Sequence, residues 1–321
     1  MTSLRSLPKQ VTIVEVGPRD GLQNEAAQLP VDVKVAFVRA LAAAGLPLVE
    51  AGAFVHPQAV PQMAGSDEVF RVLSRESSVP PQSHSNPKLK TPRLVALVPN
   101  ERGYERARAA GAAEVAVFTA ASETFSQRNN NCSIAESSTR LDAVLARAHA
   151  EGVPVRAYVS TAWHCPYEGR VGAATVERIT GHLLDGGAWQ VSLGDTIGAA
   201  TPREVMALLE RLLGHTPAEQ LALHLHDTRG TALANVLAAL QLGITTVDAS
   251  AGGLGGCPFA PGAAGNLATE DLVYLLDGLG IHTGVSLTGV AAASALIEPH
   301  LGHPLPGRAY QALKGTGGVR R

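Results

Sequence analysis

The stretch VTIVEVGPRD, residues 11–20, decides the fold, because an apolar, β-branched run of strand length stops there at two adjacent opposite charges. Runs of this kind are typical of strands buried on both faces of a parallel sheet. Seven more follow along the chain: PLVEAGAF (47–54), RLVALV (93–98), EVAVF (114–118), VPVRAYVS (153–160), AWQVSL (188–193), LALHLH (221–226) and ITTVDAS (244–250). The sequence therefore contains eight candidate strands.

Segments rich in Ala, Leu, Glu and Arg separate these strands. Those with a helical pattern include residues 31–44, 135–150, 202–213 and 231–242. Strands that alternate with helices are typical of βα units around a parallel sheet. Eight units within residues 11–279 predict a (β/α)8 TIM barrel, a fold that typically takes about 250 residues. An open, doubly wound sheet has the same periodicity and is the structural alternative.

Two segments stand outside the repeat. Residues 77–92, SSVPPQSHSNPKLKTP, are rich in Pro and Ser and predict a loop inserted before the third strand. Beyond residue 284, a helical piece near 287–297 precedes a Gly- and Pro-rich tail that we expect to be flexible. We therefore divide the chain into a barrel domain, residues 1–284, and a C-terminal helical extension, residues 285–321.

Composition argues against several classes of protein. The formal net charge is only −2, and no basic block is interleaved with aromatic residues, so nucleic acid is not an expected partner. The three cysteines, Cys132, Cys165 and Cys257, form no CxxC pair, which indicates free thiols in a reducing compartment. No run reaches the roughly 18 apolar residues of a membrane span. We expect a soluble cytoplasmic protein without a membrane partner.

Unusual polar residues collect near the carboxyl ends of the candidate strands. Arg19 and Asp20 follow the first strand, Glu50 lies in the second, and Asp195 follows the sixth. Asn266 belongs to the loop after the eighth strand. Since a TIM barrel carries its chemistry at this end of the strands, the sequence predicts an active site there.

His224 and His226 are two residues apart on the seventh candidate strand, so their side chains point to the same face. A pair in this position favours shared metal ligation over two hydrogen-bonded core histidines. Together with Asp20 and Asn266, the pair forms an oxygen and nitrogen ligand set without thiolate. Such a set suits Mg²⁺ or Mn²⁺ better than structural zinc.

The remaining candidates each have a structural alternative. Arg19 could be a local ion-pair partner of Asp20, Glu50 a satisfied buried carboxylate, and Asp195 the N-cap of a following turn or helix. Cys257 lies in the glycine-rich loop AGGLGGCPFAPGAAGN, residues 251–266. A thiol in such a loop is either a small apolar side chain or a candidate for acid–base chemistry.

Four motifs resemble the hydroxymethylglutaryl-CoA lyase family: EVGPRDGLQNE (15–25), SLGDTIG (192–198), HLHDT (224–228) and GLGGCPFAPGAAGNLATEDLVYLL (253–276). The resemblance covers about residues 11–284. The Arg-Asp start and the His-x-His strand are shared more distantly with isopropylmalate and homocitrate synthases. The resemblance implies a divalent-metal-dependent TIM barrel, usually a homodimer, that cleaves hydroxymethylglutaryl-CoA to acetyl-CoA and acetoacetate.

The resemblance also assigns residues. The positions of the family's metal ligands are held by Asp20, His224, His226 and Asn266, and its other active-site positions by Arg19, Glu50, Asp195 and Cys257. The sequence departs from the family pattern at Ala53, His56 and Arg229, near the expected mouth of the barrel. A closely related branched 3-hydroxyglutaryl-CoA is therefore an alternative acyl-CoA substrate.

Cleavage of such a thioester develops negative charge on two oxygens, the hydroxyl being deprotonated and the departing enolate. A divalent ion would lower the pKa of the hydroxyl, and Arg19 would donate to the enolate oxygen. Asp20 or His224 would accept the hydroxyl proton, and Cys257 would protonate the enolate carbon. Two other functions remain in view, an acyl-CoA condensing synthase of the same barrel group and a non-catalytic acyl-CoA or metal-binding barrel.

Overall fold

Eight parallel strands close into a barrel in this computed structural model, which describes residues 7–77, 92–255 and 265–316. The barrel strands are β1 (Thr12–Glu15), β2 (Leu48–Ala53), β3 (Arg93–Leu97), β4 (Glu114–Ala120), β5 (Val155–Ser160), β8 (Gln190–Asp195), β9 (Leu221–Leu225) and β10 (Thr246–Ala249). The predicted TIM barrel and its eight strands are confirmed, and the open sheet is excluded.

A short antiparallel hairpin interrupts the repeat after β5. Its strands, β6 (His164–Cys165) and β7 (Gly169–Arg170), have two residues each and were not predicted. The barrel itself closes where β1 pairs with β10, with Thr12 opposite Thr246. Closure of the barrel brings Asp20, which follows the first strand, beside Asn266, which follows the last.

Helices surround the barrel. They are α1 (Val31–Ala43), α2 (Ser66–Ser77), α3 (Glu101–Ala109), α4 (Glu123–Asn130), α5 (Ile134–Ala150), α6 (Ala173–Asp185), α7 (Pro202–Leu213), α8 (Ala232–Leu240), α9 (Thr269–Gly278), α10 (Leu287–Ile297) and α11 (Arg308–Gly315). Local sequence sets several starts: Ser133 accepts from the Glu136 N–H, and Glu136 accepts from the Ser133 N–H, a capping box that begins α5. None of the helices in the described ranges has the length and apolar character needed to cross a membrane.

The C-terminal helices pack onto the barrel helices. The predicted helix near 287–297 is α10, and it lies against α1 and α9. Helix α11 was not predicted; its first N–H groups, of Arg308 and Ala309, donate to the carboxylate of Asp271. Most of the predicted insertion, residues 78–91, lies outside the described residues. The division at residue 284 remains a prediction.

The strands are buried along nearly their whole length, as continuous apolar runs predict. Five charged residues break this pattern, each no more than 1% exposed: Glu15, Glu50, Arg156, Asp195 and Asp248. Since charged groups are seldom buried without a partner or a task, these positions direct attention to the carboxyl end of the barrel.

Candidate active site

A single π-helical turn, Gly17–Gly21, follows β1 and presents Arg19 and Asp20. The N–H groups of Arg19 and Gly21 both donate to the carbonyl of Val16, which bends the chain sharply at the strand end. The Arg19 guanidinium donates to the Asp20 carboxylate through Nη1 and to Glu50 through Nε. The ion pair considered as the alternative for Arg19 therefore exists, and it holds the guanidinium at the mouth of the barrel.

The two histidines meet Asp20 at the same end. His224 lies in β9, and His226 follows the strand by one residue, with the ring centroids 5.4 Å apart. One ligand atom each from Asp20, His224 and His226 can be chosen so that all lie within 4.8 Å of one another. Asn266 pairs with the backbone of His226 and donates from Nδ2 to Oδ2 of Asp20 at 2.8 Å. All four predicted ligands are thus brought together.

Gly255 lies between the two segments that carry Asp20 and Asn266. Its φ is +96°, and a Cβ atom there would stand 3.0 Å from Nδ2 of Asn266 and 3.1 Å from the Cα of Gly21. Only glycine fits this backbone without displacing either segment. Cys257 belongs to residues 256–264 and lies outside the described residues.

The electrostatics leave two of these groups in forms that bind a metal. Burial by itself raises the pKa of Asp20, but the charges of Arg19 and His224 outweigh it and hold that pKa well below its usual range. Burial, then the neighbouring His224, lowers the pKa of His226 to about 4. At neutral pH Asp20 is therefore a carboxylate and His226 a neutral imidazole.

The buried donor set fits a divalent cation. Nδ1 of His226 is buried and has no hydrogen-bond partner among the described residues. Carboxylate, amide and imidazole groups without thiolate suit Mg²⁺ or Mn²⁺. A neutral buried imidazole and a charged carboxylate at this spacing are what such an ion requires.

Glu50 and Asp195 occupy different settings. Glu50 is fully buried beside Arg19, and its Oε1 has no partner in the described ranges. Asp195 is the last residue of β8, and its two oxygens accept the N–H groups of Ala199 and Ala200 at 3.0 Å each. Asp195 thus binds the backbone of the turn that follows β8, but it is not the N-cap of the next helix, which is Thr201. Glu50 instead lies beside Arg19 in the charged centre.

Sequence reasoning missed a second charged pair below the histidines. Arg156 of β5 and Asp248 of β10 are fully buried, with Nη2 of the arginine 2.6 Å from Oδ1 of the aspartate. Tyr158 accepts from Arg156 at 2.7 Å, and the Arg19 guanidinium lies 5.5 Å from its ring centroid. The available signal was a charged residue inside an apolar strand, in VPVRAYVS and ITTVDAS.

A cavity of about 460 Å³ opens above these groups. Arg19, Asp20 and His224 line it, together with residues that include Asn100 and Arg140. The volume is within the range of sites for small molecules. The cleft, the candidate metal ligands and the guanidinium therefore share one space.

The fold and this site define a class: TIM barrels with a candidate metal centre and a fixed guanidinium at the carboxyl ends of the strands. The model of the HMGL-like family matches residues 10–297, and the chain belongs to that family. The resemblance in the four sequence motifs is confirmed.

Relatives along the whole chain agree. The chain is 50% identical over 296 residues to the mitochondrial hydroxymethylglutaryl-CoA lyase of Bos taurus, covering 92% of this chain and 87% of the relative. It is 47% identical over 313 residues to the cytoplasmic 3-hydroxy-3-methylglutaryl-CoA lyase of Danio rerio, with 98% and 90% covered. Relatives thus come from two compartments.

Solved structures give the same result. The hydroxymethylglutaryl-CoA lyase of Pseudomonas aeruginosa superposes with a TM-score of 0.89 at 47% identity, over 97% of this chain and 99% of that one. An HMG-CoA lyase of Acinetobacter baumannii in complex with coenzyme A and 3-methylmalate gives 0.85 at 35%, over 95% of each chain. The match extends over nearly the full length of both neighbours.

Proposed function

We propose that the chain cleaves 3-hydroxy-3-methylglutaryl-CoA to acetyl-CoA and acetoacetate, or cleaves a closely related branched 3-hydroxyglutaryl-CoA. The observation that carries the proposal is the junction of four candidate metal ligands with the fixed Arg19 guanidinium at one cleft. Relatives named as hydroxymethylglutaryl-CoA lyases, matched over nearly the whole chain, support this substrate. A neighbour bound to coenzyme A supports an acyl-CoA.

Asp20, His224, His226 and Asn266 would hold Mg²⁺ or Mn²⁺. The bound ion supplies Lewis-acid polarisation of the substrate oxygens. Arg19 lies beside Asp20 in sequence and in space, so its guanidinium can reach an oxygen that is close to the metal position. Arg19 and Asp20, the opposite charges that follow β1, would thus act on one substrate in different ways: Asp20 would bind the metal and Arg19 would bind a substrate oxygen.

Arg19 is proposed to donate to the thioester oxygen as that oxygen becomes an enolate. Glu50 fixes the guanidinium from the side through Nε, which leaves less rotamer freedom to lose on binding. Asp20 or His224 is proposed to accept the hydroxyl proton. Asp195 is also proposed as an active-site residue. Its carboxylate accepts hydrogen bonds from two backbone N–H groups.

Cys257 is proposed to protonate the enolate carbon. The described part of its loop reaches the centre at Gly255, where an added Cβ atom would lie 3.0 Å from Nδ2 of Asn266 and 3.1 Å from the Cα of Gly21. A thiol is acidic enough to deliver a proton near neutral pH, whereas a serine hydroxyl is not.

We also propose a homodimer in the cytoplasm. The dimer is supported by the family resemblance. The cytoplasmic location is supported by the sparse cysteines and by the cytoplasmic relative from Danio rerio, set against the mitochondrial relative from Bos taurus.

The test of function is acetoacetate release from hydroxymethylglutaryl-CoA in the presence of Mg²⁺ or Mn²⁺. We expect turnover that EDTA removes and that His226→Ala abolishes while the fold survives. Arg19→Lys should lose about 2.7–4 kcal/mol of transition-state stabilisation, mainly in kcat, because an ammonium cannot reproduce the guanidinium fork. If the wild-type protein instead joins acetyl-CoA to an oxoacid, the proposed lyase activity is wrong and the protein is a condensing synthase.

A further inference from the structure

A fully buried ion pair lies beneath the candidate metal ligands, joining Arg156 on β5 to Asp248 on β10. Removing two charges from water is costly, and a well-packed apolar pair often replaces such a bridge without loss of stability. A contribution to stability is therefore a weak explanation for the presence of this buried ion pair. Its contacts point to another task.

Oδ2 of Asp248 is the centre of these contacts. Ser192 donates to it from Oγ at 2.8 Å, and Nη1 of Arg156 donates to it at 3.3 Å. Nδ1 of His224 also lies 3.3 Å from this oxygen, a contact that does not meet full hydrogen-bond geometry. That nitrogen has no other partner among the described residues.

The opposite edge of the same ring faces the candidate metal position. Nε2 of His224 is 3.8 Å from Oδ2 of Asp20. The ring therefore stands between a carboxylate outside the ligand set and a carboxylate within it. His226 differs, because its Nδ1 has no carboxylate partner in the described ranges and its backbone pairs with Asn266.

We propose that Asp248 is the positioning residue for His224, holding its Nδ1 edge so that Nε2 faces the metal, and that Arg156 and Ser192 in turn hold Asp248. Histidine ligands usually donate their second ring N–H to a carboxylate or carbonyl, which fixes the tautomer and the orientation of the ring. The inference rests on the metal centre of the proposed function.

Charge explains why an aspartate occupies this position and why Arg156 accompanies it. Two guanidinium nitrogens of Arg156 face the carboxylate, with Nη2 2.6 Å from Oδ1 and Nη1 3.3 Å from Oδ2, so the buried aspartate has its counter-ion. An ionised carboxylate accepts at both oxygens, so it can bind Arg156, Ser192 and His224 together. An asparagine could present its amide nitrogen to the ring and would no longer define which edge faces the metal.

The test is Mn²⁺ binding, measured by electron paramagnetic resonance or calorimetry without substrate. Asp248→Asn should raise the Mn²⁺ Kd by about 10–100-fold, the usual cost of losing a ligand's supporting partner. Ser192→Ala should raise it less, because Arg156 still holds the carboxylate. Glu114→Gln is the matched control, since it changes another buried, arginine-paired carboxylate, at the first residue of β4, away from the candidate ligands.

Folding is checked by circular dichroism for every variant. A folded Asp248→Asn protein with unchanged Mn²⁺ affinity would overturn the inference, and so would an equal loss in Glu114→Gln. If Asp248→Asn does not fold, Ser192→Ala decides, and an unchanged affinity there overturns the inference. Wild-type protein that binds Mn²⁺ but cleaves no thioester would overturn the proposed reaction alone, while the predicted ranking of affinities would still support Asp248.

Discussion

Two pairs of buried carboxylates in this barrel have opposite electrostatics, and we call them the central group and the outer group. In the central group, Asp20 and Asp248 each face a guanidinium, and the pKa of each lies below its usual range despite burial. In the outer group, Glu15 and Glu270 lie beside residues 251–253 and accept from backbone N–H and hydroxyl groups. Burial raises their pKa values to about 8 and about 7.

Glu15 of the outer group connects two loops through hydrogen bonds. Oε1 of Glu15 accepts from the N–H of Gly17 at 2.8 Å and of Ala251 at 2.9 Å. Gly17 begins the turn that carries Asp20, and Ala251 begins the segment that leads to Gly255. Glu15, with no guanidinium beside it, thus links the two loops as a protonated acid, whereas the guanidinium beside Asp20 or Asp248 keeps that acid charged. Glu50 also pairs with Arg19, but burial outweighs the cation there and raises the pKa of Glu50.

The largest effect is expected for Arg156→Gln. Leaving Asp248 buried without its cation should lower the free energy of unfolding by about 3–5 kcal/mol, as measured by urea denaturation. Arg211→Gln removes the arginine of a solvent-exposed pair with Glu177 and should cost far less. Equal losses in the two variants would mean that the buried Arg156–Asp248 pair contributes no more to stability than a surface ion pair.

A pH effect of intermediate size is expected for Glu15→Gln. Because the folded state holds the Glu15 proton up to a pKa of about 8, against a reference value of 4.5, wild-type stability should fall as pH rises between these values. The glutamine keeps an acceptor for the Gly17 and Ala251 N–H groups but does not ionise, so its unfolding free energy should fall less steeply. Urea denaturation across this pH range measures both slopes.

The acid limb of the same titration is the internal control. Asp248 has a lowered pKa, so its contribution is present above its unfolded value and is lost as pH falls through its folded value. That loss, below about pH 4, should be the same in wild type and Glu15→Gln. Parallel slopes on the alkaline limb would show that Glu15 does not carry the proton assigned to it.

The smallest effect is expected for Asp195→Asn. Its carboxylate resembles the outer group, since burial raises its pKa and its hydrogen bonds come from the N–H groups of Ala199 and Ala200. Losing one good acceptor should cost about 1 kcal/mol of unfolding free energy, with Mn²⁺ affinity unchanged. Turnover of the same protein is the second measurement: a large loss at normal metal binding would assign Asp195 a direct part in the chemistry.

The fold was predictable because each barrel strand is a long apolar run that differs from its flanks. The hairpin β6–β7 was not, since strands of two residues leave no period to detect. Helix α11 escaped because its start depends on tertiary contacts, the carboxylate of Asp271 and the Arg308–Asp227 pair, within a Gly- and Pro-rich sequence.

The site divides in the same way. Asp20, His224, His226 and Asn266 were predicted because polar residues at strand ends have a known significance in this fold, and the structure brings them together. Glu15, Arg156 and Asp248 were not, because a charge inside an apolar strand does not reveal its partner on a distant strand. The role of Cys257 remains a prediction.

The hydrogen bond from Asn266 to Asp20 joins residues 246 positions apart in the sequence. Closing a loop of that length costs conformational entropy, which the pairing of the first and last strands has to offset. The complete ligand set can therefore exist only after β1 has paired with β10. An ion that binds only this closed state would stabilise it by mass action. Metal affinity would then report on completion of the barrel as well as on catalysis.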